Sequence, residues 1–335
     1  MQLDGIHHIT CITGDAPRNV DFYVRVLGLR LAKKTVNQDD PTVYHLFYAD
    51  DRGSPGADLT FFEYPNARPG RDGAGMIHRI AFRVGGGALA GGSASLDFWT
   101  ARLEGEGLAV ERDGDSLRFA DPEGLGLELV VDDSGDEPLT ASAPDVPAEH
   151  ALRGFAGVRA YSADPAQSTA LLRDVLGFEP LDDGSRGADA GHVAGGGGSP
   201  GGIREWVSRG PRRGGFYGYD PAPEERGIGG AGTVHHIAWT AEDEDIEAWD
   251  ERYRAAGRHT SGLVDRFYFR SVYSREPSGV LFEIATRGPG FAADEAPEEI
   301  GRRLSLPPKL EHLREQIEAS LTPLPSDPRA SRVGP

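Results

Sequence analysis

Two adjacent-histidine pairs stand far apart in look-alike settings, Ile6-His7-His8-Ile9-Thr10 and Val234-His235-His236-Ile237-Ala238. A third run, Val280-Leu281-Phe282-Glu283-Ile284, carries a lone carboxylate among apolar residues. Two histidines and one carboxylate suit Fe(II), Mn(II) or Zn(II), and three such ligands on one face leave coordination positions open for substrate and oxygen. A carboxylate in so apolar a strand also needs a cation or strong hydrogen bonds to be buried. That chemistry requires the fold to bring opposite ends of the chain together.

The chain repeats itself. Met76-Ile77-His78-Arg79-Ile80-Ala81-Phe82 reads like Val234 to Trp239, both read like Ile6 to Cys11, and a fourth copy begins at Gly154-Phe155-Ala156-Gly157-Val158. Each run is followed by apolar residues at three- and four-residue spacing, over 17–27, 95–105, 165–176 and 243–256, and then by further strand candidates. Two strand ends match as well: Asp121-Pro122-Glu123-Gly124 leads to Glu128 as Glu276-Pro277-Ser278-Gly279 leads to Glu283. The pattern predicts an α+β fold of four βαβββ modules over 1–66, 75–133, 150–209 and 232–288, with a helical tail at 297–324. The glycine-rich stretches 85–92 and 194–202 lack the Lys-Ser/Thr of a phosphate-binding loop and read as linkers.

Strand alternation selects among the histidines, because neighbouring side chains point to opposite faces of a sheet. In the second module His78, Ile80 and Phe82 form the apolar, helix-side face. Transferred to the other runs, this puts His7, Ile9, Cys11 and His235, Ile237, Trp239 under helices, and His8, Thr10 and His236, Ala238, Thr240 on a cupped face. His8, His236 and Glu283 are then the candidate metal ligands. The second and third modules offer Arg79 and Gly157 at the ligand position, so only modules one and four can build the site. Modules one and four are expected to pair, with two and three as a metal-free counterpart, each pair forming a cupped mixed-sheet barrel.

Composition narrows the classes. The 335 residues are 38% hydrophobic, enough for more than one buried core. The formal charge of −18 argues against nucleic acid, whose phosphates it would repel. The single cysteine, Cys11, cannot form an internal disulfide or a thiolate cluster and is expected to pack as a small apolar residue. No stretch approaches the roughly 18–20 apolar residues of a membrane helix, and the first residues run straight into a strand pattern with no basic-then-apolar leader. A cytoplasmic protein without a membrane partner is the expectation.

With these motifs, Leu59-Thr60-Phe61-Phe62, Pro69-Gly70-Arg71 and Phe269-Arg270-Ser271-Val272-Tyr273, the chain resembles the vicinal oxygen chelate superfamily over nearly its whole length, and within it the ring-cleaving, hydroquinone-type extradiol dioxygenases. The resemblance extends to the tail, Leu306-Pro307-Pro308 and the short helix to Leu321. It implies His8, His236 and Glu283 as ligands of Fe(II), with Mn(II) accepted by the same donors. It implies a small aromatic diol and O2 as partners, catalytic roles for Tyr273, His7 and His235, and substrate contacts from Arg266 and Thr10. Assembly as a homo-oligomer is compatible with it. The chain departs from the family pattern at Ser274 and Ser278, where an aromatic residue and a glycine are common, which bears on pocket shape.

Two other classes share such a fold. A glyoxalase-type isomerase or lyase uses Zn or Ni as a Lewis acid and wants a fourth protein ligand. The candidate is Glu63, whose offset from Gly56 differs in parity from those of Glu128 and Glu283 from their turn glycines, so it is expected to face away. A non-catalytic small-molecule binding protein would lack the triad.

Overall fold

The computed structural model describes residues 1–85, 93–181 and 204–325. The glycine-rich stretches at 86–92 and 194–202 lie outside the described residues.

The first module runs β1 (Ile6–Thr13), α1 (Ala16–Val20), β2 (Arg30–Val36), β3 (Tyr44–Ala49) and β4 (Asp58–Glu63). Asp15 caps α1 by accepting from the Arg18 N–H, and α1 continues as a wider π-helical turn over Asp21–Val26. The second runs β5 (Ile77–Gly85), α2 (Ser93–Gly105), β6 (Glu111–Asp113), β7 (Ser116–Ala120) and β8 (Gly126–Asp132). The third comprises β9 (Phe155–Ser162), β10 (Glu179–Pro180), β11 (Glu205–Arg209) and β12 (Gly214–Pro221), with short 3-10 and π-helical turns in place of a full helix. The fourth runs β13 (Thr233–Ala241), α3 (Ile246–Ala255), β14 (Leu263–Asp265), β15 (Arg270–Arg275) and β16 (Leu281–Thr286). A tail follows, ending in α4 (Arg314–Ser320).

These strands form two eight-stranded mixed sheets, ordered β14-β15-β16-β13-β1-β4-β3-β2 and β10-β11-β12-β9-β5-β8-β7-β6. Module four therefore pairs with module one through the antiparallel β1–β13 contact, and module three with module two through β9–β5. The side of the first sheet opposite its cup carries Ile9, Cys11, Leu59, Phe61, Ile237, Trp239 and Phe282, all buried in one continuous core with the helices. Burial raises the Cys11 thiol well above its usual range, so it behaves as the small apolar residue expected.

Simple alternation fails at one recurring point. His7 is an extra residue between the Ile6–Trp239 and His8–Ala238 pairs, and His235 is an extra residue opposite the Thr10–His236 and Cys11–Val234 steps. The other sheet has the same two irregularities, at His78 and Ala156. Each is a β-bulge, which re-aims the side chains beside it. His7 and His235 are consequently not packed under helices, as alternation predicts. Both rings lie against the neighbouring ligand-position histidines.

The tail straps the first sheet at its β2 side. Lys33, fully buried on β2, bonds Asp294 and Glu295 at 2.5 Å each and lies 4.7 Å from the centre of the Tyr268 ring. Two carboxylates and an aromatic face compensate the one buried ammonium.

Candidate metal centre

His8 comes from β1, His236 from β13 and Glu283 from β16, three adjacent strands whose register sets Ala238 beside both His8 and Glu283. The side chains converge on the cupped face. The two Nε2 atoms stand 3.2 Å apart, and Glu283 Oε2 lies 2.9 Å from that of His236 and 3.3 Å from that of His8. All three residues are buried. The other carboxylate oxygen, Oε1, accepts a short hydrogen bond from Ser271 Oγ, whereas Oε2 is buried without a hydrogen-bond partner. A buried carboxylate oxygen with no donor, facing two imidazole nitrogens, has the chemistry of a divalent-cation site. Burial alone would raise the Glu283 carboxyl, but His8 and His236 hold it well below the usual range, so it presents an anion.

The bulge histidines decide which nitrogens face that centre. His7 Nε2 lies 3.0 Å from the Thr286 carbonyl oxygen, which can only accept, so this nitrogen carries the proton. Burial pushes the His7 imidazole down to about 3, keeping it neutral and leaving Nδ1 an acceptor. His8 Nδ1, 2.9 Å away, must then donate, and the His8 Nε2 lone pair is free to ligate. His235 and His236 repeat the contact, Nδ1 to Nδ1 at 2.7 Å, but His235 is exposed and its far end meets no fixed carbonyl among the described residues.

A cavity of ≈ 280 Å³ opens above His8 and His236. Phe47, Phe62, Tyr268 and Phe269 give it aromatic walls, and Phe269 stands 5.1 Å from the His8 ring. Tyr273, opposite Glu283 on β15, projects into it, and its hydroxyl accepts from Arg266 Nε at 3.2 Å. Burial, reinforced by Glu283, raises the Tyr273 phenol, which therefore holds its proton at neutral pH. The Arg266 guanidinium also pairs with Asp39 at 3.0 Å, and the Gln38 amide donates to the Arg266 carbonyl at 2.6 Å, latching the turn after β2 across the mouth.

Of the residues singled out from sequence, His8, His236, Tyr273, Arg266 and His235 border the cavity, and His7 stands immediately behind His8. Thr10 does not reach the cavity. It is fully buried, and its hydroxyl contacts Oγ1 of Thr60, its partner on the neighbouring strand β4, at 2.8 Å. Glu63 lies far down β4 opposite Thr13 and accepts from the Ala16 N–H at 3.3 Å, outside the ligand cluster. Sequence reasoning missed His45, which sits in the cavity wall with Nε2 2.9 Å from Thr60 Oγ1. The alternation of Tyr44-His45-Leu46-Phe47-Tyr48, with Leu46 and Tyr48 in the core, was the available signal.

Against known proteins, the profile of the Glyoxalase/Bleomycin resistance protein/Dioxygenase superfamily matches residues 5–129 and 154–284. MhqA of Bacillus subtilis (strain 168), provisionally named a ring-cleaving dioxygenase, is 38% identical over 97% of this chain and 100% of its own. The chlorohydroquinone/hydroquinone 1,2-dioxygenase of Sphingobium indicum is 31% identical over 94% of this chain and 95% of its own. A solved structure provisionally named a dioxygenase from B. subtilis superposes with a TM-score of 0.84 at 38% identity, covering 97% of this chain and 99% of that one. Glyoxalase I from Zea mays shares the fold, with a TM-score of 0.50 at 14% identity over 84% of this chain and 92% of that one. With the profile spanning both halves and full-length relatives at this identity, the chain belongs to the Glyoxalase/Bleomycin resistance protein/Dioxygenase superfamily and is a dioxygenase within it.

Proposed function

We propose that the protein is an Fe(II)-dependent, extradiol-type ring-cleaving dioxygenase that acts with O2 on hydroquinone- or catechol-like aromatic diols. One observation carries the reading: three donors, with no fourth among the described residues, meet at the floor of an aromatic-walled cavity. The names of the full-length relatives support it. His8, His236 and Glu283 hold the metal, and Mn(II) satisfies the same donors. Bound Fe(II) supplies open coordination positions and a one-electron couple, the chemistry that brings an aromatic diol and O2 together.

The rest is the work of side chains. Phe47, Phe62 and Phe269 hold a flat ring and exclude water, which fixes its approach to the ligand end of the cup. Tyr273, protonated and aimed by Arg266, donates a proton to oxygen as the ring opens. Arg266 offsets the negative charge of a bound phenolate, with Asp39 setting its position. His7 and His235 orient the ligands, and Thr10 acts from beneath, through Thr60. The isomerase reading lacks its fourth ligand, since Glu63 is committed elsewhere.

The test is oxygen uptake after anaerobic Fe(II) loading, with hydroquinone, methylhydroquinone, chlorinated hydroquinones and catechols, beside a His236→Ala control. Uptake with one iron per chain, abolished with the iron in the variant, is expected. No uptake at full iron occupancy overturns the reading.

A further inference from the structure

His45 lies on the cavity wall away from the ligand triad. Its ring centre stands 4.0 Å from that of Phe47 and 4.4 Å from that of Phe62, so two phenyl groups fix its plane. Nε2 is tied to Thr60 Oγ1 at 2.9 Å, and Thr60 Oγ1 to Thr10 Oγ1 at 2.8 Å. Nδ1 makes no hydrogen bond among the described residues and is not among the atoms sealed from solvent, so it is accessible from the cavity. A histidine held this firmly, with one nitrogen free, is built to meet a polar group on something that enters.

The sheet sets how far that group must be from the triad. His236, Thr10, Thr60 and Phe47 form one row across β13, β1, β4 and β3. With strands about 4.8 Å apart, Thr60 lies roughly 10 Å from the His236 strand. A ring attached at the triad by one hydroxyl crosses this floor and turns its opposite edge toward His45. A para-diol carries its second hydroxyl on that edge. An ortho-diol carries both oxygens at the triad and offers His45 only C–H, leaving a partly buried polar nitrogen unpaired, which is unfavourable. Burial, then the longer-range electrostatic effect of His8, hold the His45 imidazole well below its usual range, so it is neutral. A hydroxyl can donate to or accept from a neutral imidazole, whichever tautomer Thr60 selects.

We propose that His45 is a specificity-determining residue that reads the far hydroxyl of a para-diol, so that the cavity takes hydroquinones in preference to catechols. This rests on the ring-cleavage reading above and goes beyond it by assigning the choice of isomer to one side chain.

The test compares Fe(II)-loaded wild type, His45→Phe and His45→Gln, each checked for one iron per chain. Anaerobic titrations with hydroquinone, phenol and catechol give Kd, and oxygen uptake gives kcat/KM. Wild type is expected to bind hydroquinone more tightly than phenol or catechol. His45→Phe is expected to raise the hydroquinone Kd about 10-fold or more while leaving phenol and catechol within about 2-fold. His45→Gln, which keeps a polar group there, is expected to recover part of the loss, and it serves alone if the Phe variant does not fold. Three results overturn the proposal: hydroquinone binding unchanged in both variants, equal losses for all three ligands, or a wild type that prefers catechol. A wild type that is fully loaded yet neither binds nor turns over any diol overturns the ring-cleavage reading itself.

Discussion

The two sheets are copies of one design with opposite uses of a buried carboxylate. In the first, Glu283 faces His8 and His236 across adjacent strands. In the second, Glu128 occupies the matching place on β8, with Gly157 where His8 stands and Arg79 where His236 stands. Arg118, the counterpart of Tyr273, bonds Glu128 Oε1 at 3.0 Å, and Arg79 approaches Oε2 at 3.7 Å. Guanidinium groups thus supply the positive charge that the proposed metal would supply in the other half. The second cup is also filled: a Cβ at Gly157 would come within 2.3 Å of the Phe216 ring, which clusters with Ala81, Val130, Ala156 and Val207. The bulges are present in both sheets, so they belong to the fold. Histidines beside the carboxylate, and a cup left open above it, distinguish the half with the candidate metal site.

Removing the counter-charge from the second sheet is the most severe way to break this comparison. Arg118→Leu leaves Glu128, fully buried, with only the longer Arg79 contact, and is expected to lower stability by about 3–5 kcal/mol at neutral pH. Thermal unfolding at neutral pH, with iron content measured in parallel, checks the loss. Loss of iron from this variant would mean that the halves are not independent.

The bulge histidines allow a finer contrast within the half that carries the candidate metal site. His7 is anchored to the Thr286 carbonyl and fixes the tautomer of His8, whereas His235 touches His236 from an exposed position. His7→Phe is expected to weaken metal binding 10- to 100-fold, the usual range for a residue that orients a ligand. His235→Phe is expected to cost less. Competition with a chelator gives both numbers, and equal losses would show that the carbonyl anchor contributes nothing.

What the sequence made legible follows the same division. Parity along strands, read across repeats, points to the cup face for His8, His236 and Glu283, because a period of two survives wherever pairing is regular. It misplaces His7 and His235, because a bulge adds one residue and no composition marks it in advance. The residues over the cavity from 37 to 39 come from a turn with no periodicity, and their place is set by the Gln38 and Asp39 contacts to Arg266. His45 escaped notice because its strand has no partner motif elsewhere in the chain. Lys33 reads as a surface residue until the tail, more than 250 residues later, brings Asp294 and Glu295 to it.

The smallest expected effect concerns the carboxylates that join the sheets. Asp121, in the turn before β8, accepts from the Glu123 and Leu125 N–H groups and from the hydroxyl of Tyr23, on the helical turn of module one. Its counterpart Glu276 accepts from Ser168 and Tyr219 across the same boundary. Burial outweighs the donors at Asp121 and raises its carboxyl to about 6. The folded chain therefore holds this proton more tightly than the unfolded chain, and the site's contribution to stability falls as pH rises from about 4 to 6. Asp121→Asn keeps the shape, an acceptor and no titrating group. Relative to wild type, the variant is expected to gain roughly 1–3 kcal/mol between pH 4 and pH 7, with most of the change below pH 6. Urea unfolding at a series of pH values measures the difference. A constant offset would mean that Asp121 is held as a carboxylate by its three donors.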